Sequence, residues 1–578
     1  MQFLGVDTGG TFTDFVLFDG DNYKIHKVLS TPDDPSIAIY TGTNHFENLS
    51  LKIVKLIHGT TVATNALLER KGAKVLLLTT KGFEDVIEIG RQNRGKLYDL
   101  FWKKRPLLVL KENRIGISER IDSSGNVLKE LNTEEINELI KILELNEYDT
   151  ISVCFINSYV NPDHELIVEK ILNNLDIPIS LSSKVMPEFR EFERTSTTVA
   201  NSYLIPKVRD YMNSLGKKLK GADVYVMQSN GGLIKPKQAA IEPVRIITSG
   251  PAGGVVGAYK IAEQIGINKI ITYDMGGTST DISLCDGSLK FTTESVIDGI
   301  PIKIPMIDIY TIGAGGGSIA FTDSGGALKV GPQSAGADPG PACYGKGKEP
   351  TVTDANLLLG RIQGNNFLGG RMKVDTDLAC TSIKKLNKNF GIDEFKIAEM
   401  IIKIANSNME RAIKVISVDK GYDPREFTLV SFGGAGGLHA CELARDIGIK
   451  RIIFPINPGV LSALGMLFAD SFKDYSKGYF LDCDDLDFNI LETQYKELEN
   501  RAREEFVNEK IEFERLIDAR YKRQSHELTV PYSFDFVKDF HKKHIDIYGF
   551  NSLSNVVEIV TIRIRAIIGR SELVLPKL

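Results

Sequence analysis

The sequence predicts an α/β protein built on two duplicated subdomains, and two observations carry that expectation. Strands alternate with helices of similar length between residues 62 and 183, the pattern of an α/β architecture. A Gly-Gly hairpin near the N-terminus also returns far along the chain. Aligning VDTGGTFTDFVLFDG (6–20) with YDMGGTSTDISLCDG (273–287) gives nine identities in fifteen positions: Asp, Gly, Gly, Thr, Thr, Asp, Leu, Asp and Gly. A repeat separated by 267 residues implies duplicated subdomains rather than a solenoid.

Each element follows from local pattern. FLGVD, a Gly-Gly turn and FTDFVLF read as strand, turn, strand, with apolar residues on both faces of the second run (Phe15, Val16, Leu17, Phe18), as in a strand inside a covered sheet. Polar HGTT (58–61) precedes the helix VATNALLER (62–70), Gly72 stops it, and VLLLTT (75–80) follows as a strand. Thr133 heads a helix carrying Ile136, Leu139, Ile140 and Leu143 at helical spacing; TISVCFI (150–156) is a buried strand. Asn161-Pro162 opens the next helix, which ends before PISLSS (178–183). After residue 290 come IGAGGGSIAF (312–321) and a Gly/Pro-rich stretch (330–356) that reads as a long functional loop. A helix is expected from about 394 to 418, a strand at FTLVSF (427–432), a helix at 438–448 and a charged helix at 490–510. VEIVTIRIRAII (557–568) alternates as a half-exposed strand.

Composition narrows the function. A chain of 578 residues exceeds one core, so about three or four packed units are expected. Net charge of −5 argues against a nucleic-acid partner. The longest uncharged apolar stretch, PGVLSALGMLFA (458–469), falls short of the ~20 residues that span a bilayer. The first residues have no basic start, so a signal peptide is not expected. Six dispersed cysteines with no C-x-x-C pair read as reduced thiols of a soluble cytoplasmic protein. No Walker loop, no G-x-S-x-G elbow and no H-E-x-x-H occurs.

The repeated hairpins suit a polyphosphate. Gly9, Gly10, Gly276 and Gly277 remove the β-carbons that would hold a phosphate away and let backbone N–H groups converge on it. Thr11 and Thr278 add hydroxyls, while Asp7 and Asp274 sit at strand ends where each can hold Mg²⁺, through water. The bland alternative is two tight turns. SFGGAGGLHA (431–440) follows in chain order, a strand breaking into Gly433, Gly434, Gly436 and Gly437 before a helix; such a turn can lie flat against a purine and ribose. Two more Gly-rich segments, 248–266 and 457–467, suit helices that cross closely, either as a hinge or as dense packing.

This order of phosphate hairpin, connecting helix, second hairpin, purine turn and second connecting helix resembles the actin, sugar-kinase and Hsp70-type ATPase superfamily. More narrowly, MQFLGVDTGGTFTDFVLFDG, HGTTVATNALLERKGAKVLLLTTKGFEDVIEIGRQNRGKLYDL, MPEFREFERTSTTVANSYL, VMQSNGG, SGPAGG, YDMGGTSTDISL, ADPGPACYG and PTVTDANLLLGR are similar to the hydantoinase A and ATP-dependent 5-oxoprolinase family, over residues 1 to about 470. The resemblance implies duplicated actin-like (ribonuclease H-like) subdomains around a nucleotide cleft, with an inserted α/β segment and a C-terminal α+β segment. The boundaries expected are 1–185 for an N-terminal domain with the first hairpin, 186–480 for a core with the second hairpin and adenosine turn, and 481–578 for a C-terminal segment shorter than the family's usual one.

It also implies a function. ATP and Mg²⁺ would drive phosphorylation of the carbonyl of a cyclic amide (5-oxoproline, a hydantoin or a lactam), making a poor electrophile cleavable. Asp7 and Asp274 would be catalytic and hold the metal, Gly9, Gly10, Thr11, Gly276, Gly277 and Thr278 the phosphates, and Gly433, Gly434 and Gly437 would face the adenosine. SGPAGG offers no carboxylate to orient water, which favours transfer to substrate over idle hydrolysis. A hydantoinase B-like subunit would be the partner, leaving room for a homodimer within a hetero-oligomer. Rival readings are the activating subunit of a ketone carboxylase and a nucleotide-switched scaffold. Other candidates are open. Thr60 and Thr61 are helix caps or, with His58, substrate contacts, and Arg91, Arg94 and Tyr98 bind an anionic substrate or partner or form an Arg-rich surface loop. Asp338, Cys343 and Asp354 share the Gly/Pro loop, where Cys343 lacks a basic neighbour, and His439 reads as packing beside the purine turn.

Overall fold

A computed structural model of the chain describes residues 2–570 and 573, apart from 21, 32, 48–52, 94–97, 99–100, 102–105, 146–147, 220, 366, 368–371 and 387–389. Strands β1 (Phe3–Thr8), β2 (Phe12–Phe18) and β3 (Tyr23–Leu29) form an antiparallel meander. Phe15 and Leu17 join the core beneath α1 (Pro35–Glu47), while Val16 and Phe18 face the opposite layer, which is why both faces of β2 are apolar. Strand β4 (Lys55–Thr60) lies parallel to β1 with Thr8 opposite Thr60, and α2 (Val62–Leu68) follows at once.

The chain then leaves this sheet for an inserted parallel one. It comprises β5 (Val75–Thr80), β6 (Arg114–Ile117), α3 (Thr133–Leu145), β7 (Thr150–Cys154), α4 (Asp163–Leu172) and β8 (Ile179–Leu181), with strand order β8-β7-β5-β6. Helix α5 (Glu191–Lys218) returns to the first sheet, where β9 (Asp223–Met227) pairs with β4 and β10 (Leu233–Ile234) forms the edge. The boundary expected at 185 is therefore corrected: α5 and β9 complete the first subdomain, whose order is β10-β9-β4-β1-β2-β3. An excursion of this kind hides the discontinuity, because sequence order and sheet order differ.

Helix α6 (Ser249–Gln264) leads into the second sheet, built from β11 (Lys269–Met275), β12 (Thr280–Asp286) and β13 (Ile309–Ile312). The Gly-rich segment 312–321 and the start of the Gly/Pro stretch expected as a loop pair as a hairpin, β14 (Ser318–Thr322) with β15 (Leu328–Ser334), and the stretch ends in α7 (Val352–Leu358). Then come α8 (Glu394–Ile416), β16 (Thr428–Phe432), α9 (Ala440–Ile447) and β17 (Ile452–Ile453). The order β13-β12-β11-β16-β17 repeats β3-β2-β1-β4-β9, with an antiparallel second strand and parallel fourth and fifth strands in each. Duplication thus extends from the motif to the whole sheet.

Helix α10 (Leu461–Met466) crosses α6 in close contact and also packs on β1, where a β-carbon at Gly465 would stand 2.6 Å from Gly257 N. The last unit comprises β18 (Ser471–Asp482), α11 (Phe488–Glu505), β19 (Glu512–Tyr521), β20 (Leu528–Pro531), α12 (Phe536–Tyr548) and β21 (Val557–Gly569), with order β18-β21-β19-β20. It begins at Ser471, ahead of the expected 481, because β18 pairs with β21. Nor is β21 half-exposed. Ile562, Ile564 and Ala566 pack beneath the helices, and Arg563 on the other face is buried by ion pairs to Glu188 (2.7 Å) and Asp518 (2.6 Å). Alternating charge read as solvent contact; the charges face partners instead.

Candidate active site

The site begins with two hairpin turns of one design. Gly9 N–H donates to Phe12 O at 3.0 Å and Gly276 N–H to Ser279 O at 3.0 Å. Gly10, Thr11, Gly277 and Thr278 stand exposed at the tips. A run of glycines braces the second tip, with Gly316 N–H donating to Gly276 O (3.0 Å) and Gly317 N–H to Gly277 O (2.7 Å). Antiparallel register sets Asp7 opposite Asp14 in the first hairpin and Asp274 opposite Asp281 in the second. Asp14 and Asp281 escaped the sequence assignment although both lie among the nine repeated residues. The signal was their recurrence at the same distance after the Gly-Gly turn.

These four carboxylates share one environment. Burial raises the Asp274 carboxyl well above the usual range, and Asp281, Asp7 and Asp14 push it the same way. Asp7 is raised to about 7 by burial and by Asp14, against the opposing pull of Lys27. Asp281 is raised to about 6 by burial, with Thr311 donating to its Oδ1 and opposing the shift. Lys27 Nζ pairs with Asp14 at 2.6 Å. Both acids of the first hairpin act on Asp274 through charge, and α6 links the two hairpins, its Gly250 lying beside Asp7 and its far end leading into β11, which carries Asp274.

The residues present fit a bound cation. Asp7 Oδ1 has no hydrogen-bond partner, and a β-carbon at Gly250, at the start of α6, would stand 3.1 Å from it. No group of three or more His, Cys, Asp or Glu side chains among the described residues is arranged to hold a metal alone. That donor set suits Mg²⁺, which keeps several waters and takes further oxygens from phosphate.

The glycine turn after β16 joins the same cleft. Ala435 N–H donates to Met275 O at 2.9 Å, tying the turn to the end of β11. Gly433 has φ of 79° and packs directly on the Asp274 carboxylate; Gly434 and Gly437 are exposed. His439 packs behind the turn as expected. Its Nδ1 donates to Asn406 Oδ1 (2.7 Å) and its Nε2 accepts from Asn356 Nδ2 (3.1 Å), a tautomer assigned from these partners. Burial lowers its pKa to about 4.

The expected substrate residues scatter. His58 is corrected: it is fully buried on β4, its Nδ1 on Val6 O (3.3 Å) and its Nε2 accepting from Tyr211 Oη. Burial lowers its pKa to about 4, leaving a neutral core histidine. Thr60 ends β4, its Oγ1 accepting from Val62 N–H (3.1 Å) and its N–H donating to Ser249 Oγ (3.0 Å), whereas Thr61, at the N-cap of α2, makes no side-chain cap bond. Thr61 Oγ1 donates to Thr8 O at 3.2 Å, beside Asp7. Arg91 forms a two-pronged pair with Glu193 (2.7 and 2.6 Å) and lines a cavity of ≈ 990 Å³ among α5 and residues 294–303, which none of the four aspartates lines. Tyr98 is 98% exposed, and Arg94 lies outside the described residues. Asp354 accepts from Ala342 N–H (3.2 Å), Cys343 N–H (2.8 Å) and Thr351 N–H (2.9 Å), which makes it a loop-tying residue. Cys343 is buried and its thiol is pushed up by burial and by Asp354, so it is no nucleophile.

Residues 194–475 match the hydantoinase/oxoprolinase family and residues 3–176 its N-terminal region. The chain is 36% identical to caprolactamase subunit alpha of Pseudomonas jessenii over 97% of this chain and 86% of that protein. It is 34% identical to the 5-oxoprolinase of Dictyostelium discoideum over 97% of this chain and 50% of that longer protein. The crystal structure of ATP-dependent caprolactamase from Pseudomonas jessenii superposes with a TM-score of 0.88 at 35% identity, covering 100% of this chain and 88% of the other. Acetone carboxylase in its nucleotide-free structure gives 0.79 at 25% identity, covering 100% and 88%. No helix among the described residues is long and apolar enough to cross a membrane. The chain belongs to the hydantoinase/oxoprolinase family.

Proposed function

We infer that this chain is the ATP-binding subunit of an ATP-dependent enzyme that opens a cyclic amide. The observation that carries the reading is the matched geometry of the two hairpins, Asp7 opposite Asp14 and Asp274 opposite Asp281 behind paired glycine tips, which suits a polyphosphate gripped from two sides; the charge coupling of Asp274 with Asp7 and Asp14 supports it. Caprolactamase, similar over nearly the whole chain, supports the substrate class. ATP would supply the phosphoryl group that turns the amide oxygen into a leaving group.

The chain's own residues then have distinct tasks. Asp7 and Asp274 would hold Mg²⁺, with Asp14 and Asp281 placed opposite them across each hairpin to assist. Backbone N–H groups at Gly10 and Gly277, with the Thr11 and Thr278 hydroxyls, would neutralise phosphate charge, while the Gly9 and Gly276 N–H groups close the two turns. The turn at Gly433, Gly434 and Gly437 holds the adenosine. Arg91 is already paired with Glu193, so an anion would have to compete with that carboxylate.

Cleavage of the activated ring is assigned to a hydantoinase B-like subunit, in keeping with relatives named as subunits. Free thiols at the six cysteines fit a cytoplasmic enzyme. The test is ADP release by the chain with its co-produced partner, screened against 5-oxoproline, hydantoin and caprolactam; the reading requires stimulation by at least one. A second reading, activation of a ketone for carboxylation, is favoured by the likeness to acetone carboxylase. It requires turnover driven by acetone or acetophenone with bicarbonate. A scaffold ATPase would respond to a protein client and to none of these compounds.

A further inference from the structure

The purine turn packs on Asp274, so the adenosine end of a nucleotide belongs to the second subdomain and its terminal phosphate to the first hairpin. In-line transfer then places the acceptor beyond that phosphate, over the carboxyl ends of the parallel strands β1 and β4, where ligands of such sheets gather. At this rim the Thr60 and Thr61 hydroxyls have the intramolecular partners described above, and Thr8 Oγ1, though without a hydrogen-bond partner, is buried.

Asn65 differs. It stands exposed on α2, four residues after Thr61, with its backbone N–H donating to Thr61 O at 2.8 Å. Thr61 Oγ1 gives its proton to Thr8 O and can accept in return, so the group facing it at 3.4 Å is Asn65 Nδ2. Asn65 Oδ1 is left without an intramolecular hydrogen bond among the described residues and is free to accept one. A small-ring amide is held cis, so its N–H and C=O lie on one edge; a ketone has no N–H.

We propose that Asn65 accepts the N–H of the cyclic amide, setting the carbonyl oxygen beside the first hairpin and selecting amides over ketones. The assignment rests on the reading of this chain as a cyclic-amide enzyme. Its test uses ADP release by the full chain with its partner subunit, on caprolactam and on N-methylcaprolactam, which lacks the donor. In the unmodified protein, caprolactam has the lower KM by about tenfold. Asn65→Ala raises the caprolactam KM by that factor, leaves the KM for ATP within about twofold, and removes the preference between the two lactams. A merely structural role would alter both lactams alike. Turnover with caprolactam and an unchanged preference in Asn65→Ala overturns the assignment and leaves the cyclic-amide reading standing. If neither lactam stimulates the unmodified protein, the wider reading fails for this substrate class and the role of Asn65 goes with it.

Discussion

Gly433 lies against the carboxylate of Asp274, and a β-carbon there would overlap Asp274 Oδ1 and stand 2.6 Å from Met275 O. Its φ of 79° is also a conformation that costs other residues about 1–2 kcal/mol. The glycine turn and Asp274 are thus one packed unit. Gly433→Ala is expected to weaken ATP binding at least about tenfold, or 1.4 kcal/mol, because relieving the overlap moves the carboxylate. Calorimetric titration with a non-hydrolysable ATP analogue measures it, with thermal unfolding as the check on folding.

The four aspartates are equivalent by repeat but not by partner. Asp7 Oδ1 is unpartnered, whereas Asp14 has Lys27 and Asp281 has Thr311. Asp7→Asn and Asp274→Asn are expected to lower turnover by at least about 100-fold, the scale of losing a preorganised charge on a transferring phosphoryl. Asp14→Asn and Asp281→Asn should cost nearer tenfold, with the Mg²⁺ concentration for half-maximal rate raised. ADP release titrated with Mg²⁺ separates the two pairs.

Stability should carry the same signature. Asp7, raised from 3.8 to about 7, binds a proton in the folded chain that the unfolded chain has already lost. The stability this group contributes is therefore full below about pH 4 and lost as pH rises through about 7. Asp281, raised to about 6, acts in the same direction over a lower window. His58, depressed from 6.5 to about 4, contributes stability above pH 6.5 that is lost as pH falls through 4. Between pH 5 and 8 the ligand-free chain should lose stability through the acids, and Asp7→Asn should flatten that slope. Denaturant midpoints at intervals of half a pH unit test it; Mg²⁺ with nucleotide should stabilise more at pH 8 than at pH 6.

Much of this site was legible in the sequence because its determinants are local. The hairpins, the glycine turn and the helix order each follow from a few adjacent residues, and the repeat named the cleft's two walls. What the sequence did not disclose depends on distant partners. His58 looked like a rim residue because nothing nearby announces Tyr211, 153 positions away. Arg563 looked solvent-facing because Glu188 lies 375 positions away. The first subdomain's last strands escaped because an entire sheet is inserted before them, and Asp14 and Asp281, though repeated at one distance from the glycines, show a site role only once strand register sets them opposite Asp7 and Asp274.

The crossing of α6 and α10 supplies the remaining test. A β-carbon at Gly465 would stand 2.6 Å from Gly257 N and 2.8 Å from Gly257 Cα, and would overlap Gly253 O. These obstacles are backbone atoms of a helix whose Ala252, Val255, Val256 and Ala258 are fixed in the shared core, so no rotamer change can relieve them. Overpacking a core usually costs about 1–3 kcal/mol, and Gly465→Ala is expected at or above the upper end. Because α10 also packs on β1, the displaced helix should press on the strand that carries Asp7, so nucleotide affinity should fall together with stability. Gly459, with open space around its Cα, is the control: Gly459→Ala should change the denaturant midpoint by less than about 0.5 kcal/mol equivalent and leave nucleotide binding intact. Equal effects at 459 and 465 would mean that the two helices do not meet through their glycines.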